Sequence, residues 1–193
     1  MTRATKQRVK NTYRLAGDHA VLTIHTATVQ QYDVLIDAED LERVKNAPQT
    51  WYLAHQRHGQ RRVIGSGATC ERLMLTEFLI GKMRGMCIDH INHDTLDNRK
   101  RNLRNVTSAM NAQNNSVQRR SSTGVRGVYQ SQGRFIATVM VDGDRVFRGV
   151  FKDLALADMI VRIVRAETMP GSIEYMEARR TDAVSKDAPA VTA

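Results

Sequence analysis

The sequence predicts an α+β protein in two parts: an N-terminal region of short strands and helices, then a small C-terminal three-stranded antiparallel sheet with one helix. Three observations carry this reading. β-Branched runs alternate with short helix signals up to residue 80. From residue 124 the apolar pattern turns to period two over three consecutive runs, and Asp142-Gly143 between the last two is a hairpin signal. One amphipathic run, residues 154–167 (LALADMIVRIVRAE), follows them, with Leu154, Ala157, Val161 and Val164 on one face. At 193 residues the chain has room for one core of ordinary size or two small ones.

Taken in order, residues 1–19 are basic and lack an apolar stretch, so they read as an arm. Residues 20–29 (AVLTIHTATV) and 31–36 (QYDVLI) read as strands. Asp37 stands where a cap belongs, ahead of the short helix AEDLERVK. Residues 51–53 and 61–64 suggest a two-strand unit around HQRHGQ, whose His55 and His58 lack nearby Cys or carboxylate partners and read as loop residues. Residues 70–80 (CERLMLTEFLI) read as a helix stopped by Gly81. Region 20–115 forms one domain in this reading. Residues 116–123, polar and basic, are the linker, and 124–180 the sheet module. The tail 181–193 is poor in bulky apolar residues and reads as disordered.

Lys and Arg number 29 against 20 Asp and Glu, a formal charge of +9. That excess fits a polyanionic partner, nucleic acid first and an acidic membrane surface second. Its distribution favours the former. Between Asn98 and Val141 there is no acidic residue, and the window holds Arg99, Lys100, Arg101, Arg104, Arg119, Arg120, Arg126 and Arg134. No apolar run approaches membrane-spanning length, and residues 1–10 lack the apolar stretch that a secretory leader would carry. Cys70 and Cys87 form no C-x-x-C pair, which argues against a disulfide framework or a structural zinc site.

The remaining stretch, residues 86–115 (MCIDHINHDTLDNRKRNLRNVTSAMNAQNN), brings an Asp-His pair on a short strand, an Asn- and Arg-rich loop, and a helix that Thr107 or Ser108 can cap. Cutting a phosphodiester requires a deprotonated water, a neutralised phosphate and a stabilised leaving oxygen. A neutral His does the first, and one divalent ion serves the other two. A hard ion such as Mg²⁺ or Mn²⁺ takes oxygen ligands and keeps water, so one carboxylate and one amide suffice when the substrate supplies more. Asp89 and Asn111 are the candidate ligands, His90 the candidate base, and Asn102 the candidate group that fixes its tautomer. A turn-rich surface loop accounts for the same composition. Against it stand the Asn residues that recur on a helical segment, where Asn has poor propensity, and the cations of RKRNLR.

Over residues 89–115 the run DHINHDTLDNRKRNLRNVTSAMNAQNN resembles the HNH (ββα-metal) endonucleases, in the form of phage homing enzymes, with their D-H-x-[ND]-x-D-x-x-[DN]-N-R-x-x-N-L-R pattern. The resemblance implies that Asp89 and Asn111 bind one metal ion, that His90 is the general base and that Asn102 orients it. It implies duplex DNA as substrate, 5′-phosphate and 3′-hydroxyl products, and residence in a bacterial cytoplasm. Three features depart from the family's common form. Asn111 stands where the motif ends in His, as is common in the phage branch, which weakens a zinc reading. Cys70-Glu71-Arg72 replaces a Leu-His-Arg common in relatives, which leaves room for an altered enzyme, and His93 replaces a small residue.

Residues 124–167 resemble the APETALA/ethylene-response-factor DNA-binding domain, which lays a three-stranded sheet into the major groove. That resemblance implies Arg126, Arg134, Arg145 and Arg148 as DNA contacts, joined by Arg99, Arg101 and Arg104 of the central loop. Phe135 stands where relatives carry Trp, and Phe135, Ala137 and Val139 alternate towards the helix. The expectation is a metal-dependent DNA endonuclease that acts as a monomer rather than a homodimer. The alternatives are a DNA-binding regulator on a catalytically weak or inactive HNH scaffold, and an RNA-binding or phage structural protein.

Overall fold

A computed structural model describes residues 10–26, 30–55, 61–67, 70–115 and 121–186. The protein is mixed α and β, with small antiparallel sheets and several helices, and the chain forms two compact units, residues 1–105 and 106–193. Several expected features lie outside the described residues: positions 1–9 of the basic arm, His58, 116–120 of the linker and 187–193 of the tail. The side chains of His55, Cys70 and Glu71 lie outside them too. No helix among the described residues is long and apolar enough to cross a membrane.

In the first unit, β1 (Thr12–Ala16), β2 (His19–His25) and β3 (Gln31–Asp37) form an antiparallel sheet in that order. Residues 12–16 of the expected arm are therefore a strand. Tyr13 packs on the core, and Gly17, with φ of 70°, lets the chain reverse into β2. The apolar residues of β2 and β3 supply the core: Ala20, Leu22, Ile24, Val34 and Ile36 are buried there. A 3₁₀ turn over 38–40 leads into α1 (Leu41–Lys45), which adds Val44. Asp37 does not cap this turn by its side chain. Its carboxylate accepts the Lys100 backbone N–H at 2.7 Å instead.

A second antiparallel sheet contains β4 (Thr50–His55), β5 (Arg61–Gly67) and β6 (Cys70–Met74). Two strands were expected here, and a helix over 70–80. Only α2 (Leu75–Ile80) is helical, because residues 70–74 pair with β5, Ile64 opposite Met74 and Gly65 opposite Leu73. The ladder outweighs helix propensity over these residues. Gly65 has no room for a Cβ, which would meet Gln49 and Trp51. Trp51 is 1 % exposed, donates Nε1–H to the Val44 carbonyl at 3.0 Å, and meets Phe78 edge-on with ring centres 5.3 Å apart. Gly81 ends α2 with φ of 67°, in keeping with the expected stop.

The rest of this unit is a two-stranded sheet, β7 (Cys87–His90) and β8 (Leu103–Val106), whose strands are joined by residues 91–102. That connection docks on β3. Leu35 N–H donates to the Leu96 carbonyl, and Asn98 N–H donates to the Leu35 carbonyl, both at 2.8 Å. The first sheet thereby fixes the loop that follows Asp89 and His90.

The second unit opens with α3 (Ser108–Gln113). Thr107 caps it, its hydroxyl accepting the Met110 N–H at 3.2 Å. The antiparallel sheet β9 (Val128–Ser131), β10 (Arg134–Val141) and β11 (Asp144–Phe151) runs in that order. On it lies α4 (Leu154–Thr168), capped by Asp153, with Ala157 and Val161 against Val128, Ala137 and Val139. One helix was expected, but a second is present, α5 (Ile173–Lys186). It takes in 181–186, which the sequence assigned to a disordered tail. A buried ion pair, Arg165 to Glu174 at 2.6 Å, ties it to α4, and the Ser172 hydroxyl accepts the Tyr175 N–H at 3.2 Å.

Candidate active site

Asp89 and His90 are the last two residues of β7. Alternation along the strand sends their side chains to opposite faces. Asp89 is 8 % exposed, and Arg104 of β8 answers its charge: Nε and Nη2 both donate to Oδ2, at 3.0 and 2.7 Å. Burying a carboxylate without such a partner costs several kcal/mol, roughly. The chain therefore holds a dehydrated anion on a strand end by means of its own cation.

His90 is held from the other side. Its Nε2 lies 3.2 Å from Oδ1 of Asn98, which is 2 % exposed. The Asn98 amide is oriented by its Nδ2, which donates to the Thr95 carbonyl, so the oxygen faces the ring and Nε2–H is the donor. In the neutral imidazole the basic nitrogen is then Nδ1. Burial pushes the His90 pKa below its usual value. The Asn98 bond and the carboxylates of Asp89, Asp94 and Asp97 work in the opposite direction without overcoming it.

Asn102, the residue expected to orient the ring, does other work. Its Oδ1 accepts the Asn92 N–H at 2.9 Å and its Nδ2 donates to the Asp97 carbonyl at 2.7 Å, while its own carbonyl accepts the Ile91 N–H at 2.9 Å. Asn102 closes the loop; Asn98 touches the imidazole. A signal for Asn98 was present, since it is the Asn of the D-N-R letters in the pattern quoted above. His93 is a turn residue with φ of 65°, in the left-handed region.

Asn111 lies on α3, in the second unit, and is exposed. Asn114 is the C-cap of that helix and is buried, and Asn115 follows outside it. The first unit thus brings together Asp89, His90, Asn98 and Arg104. A carboxylate and an amide oxygen suit a hard divalent cation that keeps part of its water. Among the described residues no group of three or more His, Cys, Asp or Glu side chains forms a metal cage.

The expected DNA-contacting arginines divide into two kinds. Arg99 donates twice to Asp97, Nε to Oδ1 and Nη2 to Oδ2 at 2.7 Å each, with 18 % of its side chain exposed. Lys100 pairs with Glu39 and Asp40, and Arg104 with Asp89. Arg101 is exposed. The window without acids in sequence is thus answered in space by acids from β7, the loop and the turn after β3. Arg126 also turns inwards, its guanidinium donating to the Gln113 carbonyl at 2.7 Å. Arg134, Arg145 and Arg148 are exposed, on the sheet face away from α4. Tyr129, Met140 and Val150 share that face and are about half exposed.

A buried carboxylate beside an amide-oriented neutral imidazole is the kind of site that hydrolyses esters with help from a cation. Residues 82–113, which hold all of these groups, match the family model described as HNH endonuclease. That match supports an HNH nuclease domain over this segment; most of the chain lies outside it. Neither the curated proteins nor the solved structures gave a match.

Proposed function

We propose that the protein is a metal-dependent endonuclease of the HNH homing type that hydrolyses phosphodiester bonds in duplex DNA. The observation that carries this reading is the Asn98–His90 bond beside Asp89, inside the segment that matches the HNH model. A water enters against Nδ1 of His90, gives it a proton, and its oxygen bonds to phosphorus. The bond from phosphorus to the 3′ oxygen breaks, that oxygen takes a proton from solvent water, and a 5′-phosphate and a 3′-hydroxyl are left. Asp89 and Asn111 would hold one Mg²⁺ or Mn²⁺, which supplies positive charge for the phosphate and the leaving oxygen. Asn98 keeps the ring in the reactive tautomer, and Arg104 keeps the Asp89 carboxylate aimed.

Arg134, Arg145 and Arg148, with the apolar groups between them, suit docking of the C-terminal sheet on duplex DNA. Arginine binds phosphates and guanine edges, and apolar groups meet thymine methyls. The working form in this proposal is a monomer in a bacterial cytoplasm. Nicking of supercoiled plasmid with Mg²⁺ or Mn²⁺ tests the reading. Activity in the wild type, lost in His90→Ala with DNA binding retained, supports it. Full activity in that variant removes His90 from the chemistry.

One observation favours a second reading, a DNA-binding regulator on a weak nuclease scaffold. Arg104 already neutralises the carboxylate that a cation would need. This reading requires salt-sensitive DNA binding with no cleavage under any divalent ion.

A further inference from the structure

Between α2 and β7 the chain makes a small knuckle, residues 81–85 (GKMRG). All five residues are exposed, and Met83 at its tip is 56 % exposed. The backbone there is nonetheless fixed. The Met86 N–H donates to the Met83 carbonyl at 3.0 Å, closing a turn with Arg84 and Gly85 at its centre. Gly85 has φ of 77°, the positive value that the third position of a type II turn demands. Asn105 of β8 clamps the knuckle from the side. Its Oδ1 accepts the Met83 N–H and its Nδ2 donates to the Gly81 carbonyl, both at 3.0 Å. Both backbone groups of Met83 are therefore bonded while its side chain stands in water.

Positive charge flanks that apolar tip. Lys82 and Arg84 stand on either side of it, and no acidic residue occurs from Phe78 to Ile88. Lys82 reaches Glu77 at 3.5 Å, yet its side chain is 49 % exposed. An exposed pair of this kind contributes little and yields readily to a phosphate. A single exposed apolar side chain is ordinary on a protein surface. One set on a braced turn between two cations has the composition of a minor-groove wedge: the cations meet the phosphates that border the groove, and the apolar group enters between base pairs. Methionine suits that place, because its chain is unbranched and polarisable.

Resting on the duplex-DNA substrate of the reading above, we propose that Lys82, Met83 and Arg84 form a wedge that enters the minor groove, with Met83 between two base pairs. The knuckle leads directly into β7, so Met83 lies at most about 23 Å from His90 along the chain, or roughly seven base-pair steps at about 3.4 Å each. The wedge opens and bends the duplex within that distance of the cut.

The test uses the full chain and no divalent ion. Closed circular plasmid is relaxed by a type IB topoisomerase in EDTA with the protein bound, then stripped of protein, and its topoisomers are resolved on a gel. Separating two base pairs unwinds the helix, so the wild type should leave the plasmid negatively supercoiled. Met83→Ala and Met83→Gln, compared at equal amounts bound, should lose most of that shift, and Met83→Phe should keep it. Lys82→Ala and Arg84→Ala should each reduce the salt slope of binding by about 1. A wild type that binds the plasmid without changing its topology overturns the inference and leaves the nuclease reading in place. So does a Met83→Ala variant that gives the full shift. A shift without nicking under Mg²⁺ or Mn²⁺ counts for the wedge and against cleavage. A wild type that does not bind the plasmid overturns both.

Discussion

Arg104 puts two nitrogens on Oδ2 of Asp89, Nε at 3.0 Å and Nη2 at 2.7 Å. Both side chains are largely buried, at 13 % and 9 % exposure, so the pair is worth most when neither partner is missing. Arg104→Ala is expected to cost about 3–5 kcal/mol in chemical denaturation, because it leaves a buried anion alone. Asp89→Asn in the same chain should recover part of that loss. Mg²⁺ should raise the Tm of Arg104→Ala more than that of the wild type. Equal stability of Arg104→Ala and wild type would mean the ion pair does not form.

Asn98 and Asn102 separate by phenotype. Asn98→Ala removes the acceptor that holds Nε2 of His90, so nicking should drop by about tenfold or more while most of the stability remains. Asn102→Ala removes two buried bonds that close the loop, at roughly 1 kcal/mol each, and should lower the denaturation midpoint first. The reverse pattern in nicking and urea melts would return the orienting role to Asn102.

Acid should loosen the second unit through Glu174. Burial raises its pKa, but the bond and charge of Arg165 lower it further, leaving it below the ordinary 4.5. A carboxyl with a depressed folded-state pKa contributes stability above its unfolded value and loses it as pH falls towards the folded one. Stability should therefore decline below about pH 4.5, and Glu174→Gln should flatten that decline while lowering stability at neutral pH. Denaturation curves from pH 3 to 7 check both (~4 units of pH suffice to span the transition). Asp97, lowered by Arg99 against its own burial, gives the first unit a similar acid sensitivity.

DNA binding should distinguish the exposed from the paired arginines. Arg145→Ala and Arg148→Ala are each expected to reduce the salt slope of duplex binding by about 1. Arg99→Ala should leave the slope nearly unchanged, since Asp97 already holds that guanidinium. An equal loss in Arg99→Ala would place the loop on the phosphates.

How legible these features were in the sequence depends on how far apart the interacting residues lie. The period-two runs and the Asp142-Gly143 turn anticipated β10 and β11, because the alternation is local and α4 buries one face of each. The segment 70–74 misled, because its pairing partner β5 is a separate run of the chain and the residues themselves tolerate a helix. α5 is mostly polar, and the pair that ties it to α4, Glu174 with Arg165 nine residues away, leaves no local pattern in the sequence. The Asp89-His90 dipeptide stood out by residue type. Asn98 and Asn102 are both fixed letters of the motif and both are buried, so residue type alone did not tell which amide meets the imidazole and which closes the loop. The basic run 99–104 read as a phosphate track because its counter-charges, Glu39, Asp40 and Asp89, come from elsewhere in the chain.

The docking of residues 96–98 on Leu35 has a consequence beyond catalysis. β3 borders its sheet, and a border strand with bare amides invites a neighbouring molecule to add itself. Here the loop beside the imidazole occupies that border, its backbone bonding Leu35 on both N–H and C=O. Selection for a firm loop and selection for solubility then act on the same residues, and lesions that dislodge Asn98 should show themselves as precipitation as readily as lost cutting.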